Sequence, residues 1–244
     1  AMFLLAYFRE RRAYPVLVAL FSHPGEAILE LTGDAVLNNG SQMLASVCGG
    51  TGGLFSGVEG NSGNPKRGNP GGADLSGAPG RGDPSLSQAN PTPPDLSGIK
   101  ALIEGEQVNE FIRALSMEAL IFLVKGGRLT RDDVVPYLLE LFRKLERRPG
   151  HHWDELALAA VALWPQETLE ELKRAFADGL IADDIMEWRE IEEALAEGPA
   201  RATRPWRRRP FITDLEQDMG WMQAFQTDSP RRARRSEHQR GRAN

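Results

Sequence analysis

Between Leu96 and Leu180 helix-length apolar patterns follow one another: LSGIKALI, VNEFIRALSMEALIFLV, DDVVPYLLELFRKL, WDELALAAVALW and TLEELKRAFADGL. Short polar or Gly-containing stretches separate them. Apolar residues recur at three- and four-residue intervals, the period of an amphipathic α-helix. Helices that each bury one face and are joined by short turns must stack on their neighbours. The expected fold is therefore all-α, a short solenoid of HEAT-like antiparallel helical hairpins.

The same patterning extends to the start of the chain. Residues 2–12 and 14–22 read as a helical pair, broken at Ala13–Pro15, because proline suits the first turn of a helix. His23-Pro24-Gly25 ends the second of these. A third helix is expected over 41–48, with Ser41 as its cap and Met43, Leu44 and Val47 as its apolar stripe. Asp95 or Ser97 caps the next. Thr130, followed by Asp132 and Asp133, caps a helix over 131–147, where acidic residues favour the helix dipole. Pro136 predicts a bend there or a later start. Gly126-Gly127 ends the helix before it. Further helices are expected at 152–164, 167–178, 187–197 and 213–225, with 199–210 extended.

Residues 49–94 break the pattern. Gly, Pro, Asn and Ser dominate, aliphatics are few, and no structural period is present. Such a segment cannot bury enough apolar surface to offset its ordering entropy. The expected organisation is thus residues 1–48 as the N-terminal helices of one helical domain and 49–94 as a disordered insertion. Residues 95–225 complete that domain, and 226–244 form a disordered basic tail.

The chain has one cysteine, Cys48. It cannot make an internal disulfide, which suits a reducing cytoplasm. The apolar run Met2 to Phe8 is far short of the roughly 20 residues needed to span a bilayer. Arg9, Glu10, Arg11 and Arg12 follow that run, the reverse of a signal peptide's order. The chain opens in mid-helix without a capping residue, which predicts a cut start. A missing predecessor would leave Met2, Phe3, Leu4, Leu5 and Phe8 prone to self-association.

The opening MFLLAYFRERRAYPVLVALFSHPGE, the segment LASVCGG, the block from Ile99 to Leu145 and the closing FITDLEQDMGWMQAF resemble the bacterial domain of unknown function family 1186. The resemblance spans 2–48 and 95–225 and marks 50–94 as an insertion peculiar to this chain. VNEFIRALSMEAL is also similar to the second helix of HEAT-like repeats, with Arg113 and Ala114 at the small-residue positions. Some family members carry a SEC-C zinc motif. This chain ends in RRARRSEHQRGRAN without its cysteines, so the resemblance implies no zinc site, and it brings no catalytic residues.

Candidate chemistry is sparse. Cys48 lies at a helix C-terminus, where the dipole disfavours a thiolate, and reads as a structural thiol. His151 and His152 are adjacent and so point in different directions, unlike metal ligands on one helix face. Glu187, Glu190, Glu192 and Glu193 read as the solvated side of a helix whose buried stripe is Ile185, Trp188, Ile191 and Leu195. Gly50-Thr51-Gly52-Gly53 lacks the strand, helix and Lys-Ser/Thr of a phosphate loop. Arg81-Gly82-Asp83 is read as a chance tripeptide. No cofactor is expected.

Arginine is concentrated near the C-terminus: Arg201, Arg204, Arg207, Arg208 and Arg209 around Trp206, then Arg231, Arg232, Arg234 and Arg235. Arginine with an interleaved aromatic is the chemistry a polyanion takes. The competing reading is a soluble tail or a patch for an acidic partner; the net charge of −5 names no partner by itself, but the remaining chain is acidic, so any nucleic-acid contact would be peripheral. The leading expectation is a non-catalytic protein-binding scaffold with an unidentified protein partner. The alternative is an RNA- or ribosome-associated accessory protein that uses these arginines.

Overall fold

The computed structural model describes residues 1–48, 93–205 and 208–222. Among them the fold is all-α, with no strand beyond an isolated bridge between Pro24 and Val108. The helices are α1 (Met2–Tyr7), α2 (Ala13–Phe21), α3 (Ala27–Thr32), α4 (Asp34–Cys48), α5 (Ser97–Glu104) and α6 (Glu110–Lys125). They continue as α7 (Arg131–Lys144), α8 (His151–Ala162), α9 (Leu169–Ala177), α10 (Trp188–Glu197), a 3-10 turn (Pro199–Thr203) and α11 (Leu215–Met219). Of the insertion expected over 49–94, residues 49–92 lie outside the described residues, as do Trp206, Arg207 and everything from 223 onward.

Two layers form. Helices α4, α6, α8 and α10 pack in succession, while α2 touches α5 and α7 touches α9 alongside them. That order fits the stacked hairpins expected from the sequence. The centre is α6, apolar on nearly every side: Ile112, Leu115, Met117, Leu120, Ile121, Phe122 and Leu123 are all buried. A helix apolar all round belongs inside a core. The facing helix α8 presents Ala157, Ala159, Ala160 and Ala162, whose small side chains allow close approach. One continuous apolar cluster runs from Phe3 to Ile212.

Local chemistry explains the element ends. Thr130 and Asp133 form a reciprocal capping box at the start of α7. That helix runs unbroken through Pro136 to Lys144. Proline leaves the carbonyl four residues back unbonded, and here that is the exposed Asp132, which water can serve. Asn109 caps α6 by accepting the Phe111 N–H at 2.9 Å. At the other end of α8, Trp164 has a left-handed backbone (φ +70°). The carbonyls of Val161, Ala162, Leu163 and Trp164 accept from Arg201, Lys125 and Arg131 at 2.7–3.1 Å. Cations belong at this negative end of a helix. Lys125 also donates to the Arg201 carbonyl at 2.6 Å, and burial, with Arg201 nearby, lowers its pKa to about 8.

Several elements differ from expectation. The first helix stops at Tyr7, because Arg9 turns into the left-handed region (φ +53°). Helix α3 was not anticipated, and α4 begins at Asp34 rather than Ser41. The stretch Asp34 to Gly40 is thus helical as well. At Gly40 a Cβ would crowd Leu115 Cδ2 at 3.1 Å and Val36 Cγ1 at 3.2 Å. Ile185 is exposed rather than part of the α10 stripe, because the helix starts only at Trp188 and Met186 takes the buried place. The last helix is shorter than expected, Leu215–Met219 capped by Asp214. Phe3 is buried, whereas Leu4 and Leu5 on α1 and Phe8 just after it are exposed.

Candidate protein-binding groove

Helix α4 carries an unusual stripe. Asn39, Gln42 and Ser46 recur at helical spacing among the apolar Val36, Met43, Leu44 and Val47, and all three polar residues are buried. Buried polar groups need partners. Their partners are provided by the non-helical segment that follows the 3-10 turn. Gln42 Nε2 donates to the Arg209 carbonyl at 2.8 Å, and Ser46 Oγ accepts the Ile212 N–H at 2.9 Å. Asn39 donates to Gln42 Oε1 at 2.7 Å and accepts from Trp221 Nε1 at 2.9 Å. Two side chains one helical turn apart thus read the backbone of a non-helical chain.

Charge and aromatic contacts complete the seat. Glu118 on α6 accepts from Arg208 at 3.2 Å and from Ser41 Oγ at 2.5 Å. Arg208 also donates to the Asn38 carbonyl. Arg209 pairs with the buried Asp218 at 2.8 Å, and Asp218 accepts the N–H groups of Thr213 and Asp214 at 3.2 Å. Between these polar ends, Phe211 and Ile212 are buried. Phe211 lies so close to Gly126 that a Cβ there would overlap its ring. The Arg9 and Arg128 guanidiniums stand 4.8 and 5.9 Å from that ring, in cation–π range. Burial, with Arg9 nearby, lowers the Arg128 pKa. Beside the seat is a cavity of about 370 Å³ lined by Asn38, Asn39, Gln42, Arg209, Asp218 and Trp221, among others.

The arginines singled out in sequence therefore divide between two carboxylate settings. Arg201 and Arg204 both reach Glu197 at 2.9 Å. Arg208 and Arg209 engage Glu118 and Asp218. Arg207 is outside the described residues. The stripe at 39, 42 and 46 was missed. Its signal was a set of polar residues placed where a half-buried helix should be apolar.

The remaining candidates have other settings. Cys48 is buried at the end of α4 with Sγ 3.0 Å from the Asp95 carbonyl, and burial pushes its thiol up to about 12. It is a thiol, not a nucleophile in waiting. His151 stacks on Phe111, ring centroids 4.2 Å apart. His152 is 1% exposed, and neither ring nitrogen has a hydrogen-bond partner among the described residues. Burial, reinforced by Arg113, lowers its pKa to about 4. Glu187 and Glu190 form a capping box at the start of α10. Among the described residues no group of three or more His, Cys, Asp or Glu could hold a metal ion. No described helix is long and apolar enough to cross a membrane.

Fold and groove define a class: an all-α protein of layered helices that holds a non-helical stretch of chain against its central helices. More specifically, the chain belongs to the family described as "Protein of unknown function (DUF1186)", whose model matches residues 1–59 and 90–226. The unmatched stretch lies inside the insertion expected from the sequence. An uncharacterized protein of Chlamydia muridarum is 29% identical over 198 residues, covering 81% of this chain and 61% of its own. One from Chlamydia trachomatis serovar D is 28% identical with the same coverage. The chain thus spans less than two thirds of the length of these relatives. No solved structure matches it.

Proposed function

We propose that this protein is a non-catalytic protein–protein interaction scaffold acting in the cytoplasm. The observation that carries the reading is the pair Gln42 and Ser46, which bond to a carbonyl and an N–H of non-helical chain. Side chains of one helix that bond to another segment's main chain are protein-recognition chemistry, and stacked helices supply extended surfaces for it. The alternative is RNA or ribosome association through Arg201, Arg204, Arg207, Arg208 and Arg209. It has less support, because the described members of that set already pair with Glu197, Glu118 and Asp218.

The test is affinity capture on the immobilised full chain, with and without nuclease. The scaffold reading expects a protein partner that survives nuclease treatment. Capture of RNA and RNA-bound proteins alone, lost after nuclease, would favour the alternative.

A further inference from the structure

The face of α4 and α6 under residues 208–222 is more polar than most of the interior. Elsewhere the core is mainly aliphatic and aromatic, with Arg113, Ser116, His152 and Thr168 among its buried polar side chains. Here Asn39, Ser41, Gln42 and Ser46 stand under the covering segment, and Glu118 closes one end. A helix face that is always covered is normally apolar, because burial of polar groups gains little. A polar stripe, by contrast, can be solvated when uncovered. Its interface has the composition of a separable contact, more polar than a permanent one. An open cavity of about 370 Å³ lies between α4 and the covering segment.

We propose that this face is a recognition groove for a peptide with a non-helical leading stretch, and that residues 208–222, non-helical over 208–214 and helical at α11, occupy it in cis as a replaceable ligand. The inference rests on the protein-binding reading above and names its partner's chemistry. The partner is a segment whose non-helical start carries an arginine three residues before an aromatic–aliphatic pair. Each feature has a place in the groove. Glu118 takes the leading arginine, as it takes Arg208. Gln42 takes the backbone carbonyl two residues before the pair, and Ser46 takes the N–H of its aliphatic member. The site beside Gly126, between Arg9 and Arg128, takes the aromatic ring. The acidic groove end and the leading arginine supply the charge complementarity. The chain's own segment competes with an incoming one, so the free groove is a minor state whose population sets the apparent affinity.

The test uses the full chain and a fluorescein-labelled peptide of residues 208–222, followed by anisotropy. In the unaltered chain the tethered segment is present at about millimolar effective concentration, so the peptide should bind weakly. Phe211→Ala with Ile212→Ala weakens the cis occupant and leaves the groove intact. That variant should bind the peptide at least about tenfold more tightly. Adding Gln42→Ala and Glu118→Ala should remove the gain. A scrambled peptide should not bind. Arg208→Glu, which alters the occupant at its exposed rim, serves should the double alanine variant fail to fold. Equal, non-saturating binding by unaltered and occupant-weakened chains, with circular dichroism showing both folded, would overturn the proposal. So would saturable binding indifferent to Gln42 and Glu118. The capture experiment stands apart: a nuclease-resistant partner that ignores this peptide would keep the scaffold and discard the groove.

Discussion

Arg113 and Glu146 form a two-pronged ion pair between α6 and the turn into α8, with Nη2 to Oε2 at 3.0 Å. The guanidinium is 1% exposed, and its Nε donates to the Ile103 carbonyl at 2.8 Å. One arginine thereby joins the end of α5, the middle of α6 and the α7–α8 turn. Removing the carboxylate leaves a buried charge, whereas removing both charges leaves a space that apolar groups can fill. Glu146→Ala should cost about 2–4 kcal/mol, the lower end reflecting its partial exposure. Arg113→Met with Glu146→Leu should cost much less. Urea unfolding of the single and double variants checks this, and equal losses would contradict it.

The same corner predicts a pH dependence. His152 has a folded pKa of about 4 against 6.5 ordinarily, because it is buried and faces Arg113. The unfolded chain therefore binds a proton that the folded chain refuses between those values. Stability is fully present above pH 6.5 and falls as the pH drops toward 4. Glu146 is lowered to about 2, chiefly by its hydrogen bonds from Arg113, so its contribution is lost between pH 4.5 and 2. Both act in the same direction. Melting temperature should decline from pH 6.5 downward, and His152→Leu should flatten the part above pH 4.5. An unchanged slope in that variant would contradict the assignment.

At the N-terminal end, Leu4 on α1 and Phe8 just past its end are half-exposed, while Phe3 packs inward. Exposed apolar side chains grouped in this way favour association. Leu4→Ser with Phe8→Ser should reduce concentration-dependent self-association in sedimentation velocity and leave the melting temperature nearly unchanged. A loss of stability without any change in sedimentation would show that the pair belongs to the fold's interior packing.

The arginines distinguish the two functional readings by salt. Contacts to phosphate release counterions, so RNA affinity carried by Arg207, Arg208 and Arg209 would fall steeply with salt, and glutamine substitution would flatten the slope. In the scaffold reading RNA binding is weak throughout. The triple glutamine variant instead loosens residues 208–222, because the Glu118 and Asp218 pairs are lost. Filter binding at several salt concentrations, alongside limited proteolysis, separates the two. Submicromolar RNA affinity at physiological salt, lost in the variant, would reverse the choice.

Much of the helical order could be read from local signals. Thr130 with Asp132 and Asp133 announces the start of α7, and Gly126-Gly127 the end of α6. The first half of α4 was hidden, because Asn38, Asn39 and Gly40 are turn formers in isolation. Asn39 stays helical because its side chain is engaged by Gln42 and by Trp221, which lies 182 residues away. The groove was illegible for the same reason. Polar residues at 39, 42 and 46 acquire meaning only from a segment brought back from the far end of the chain. The arginines were visible as charge, but their roles depend on Glu118, Glu197 and Asp218, which sequence spacing does not link to them.

The central claim is that residues 208–222 occupy a groove they can leave while the helical layers stay folded. Native-state hydrogen exchange at the Ile212 amide, held by Ser46 Oγ, tests it most directly, with Leu120 in the middle of α6 as reference. Segments that open separately exchange at lower opening free energy than the core. The account predicts that Ile212 exchanges through a local opening, at least about a hundredfold faster than Leu120 after correction for intrinsic rates, and that Ser46→Ala accelerates Ile212 alone. Equal protection of both amides, with both lost only in global unfolding, would contradict it.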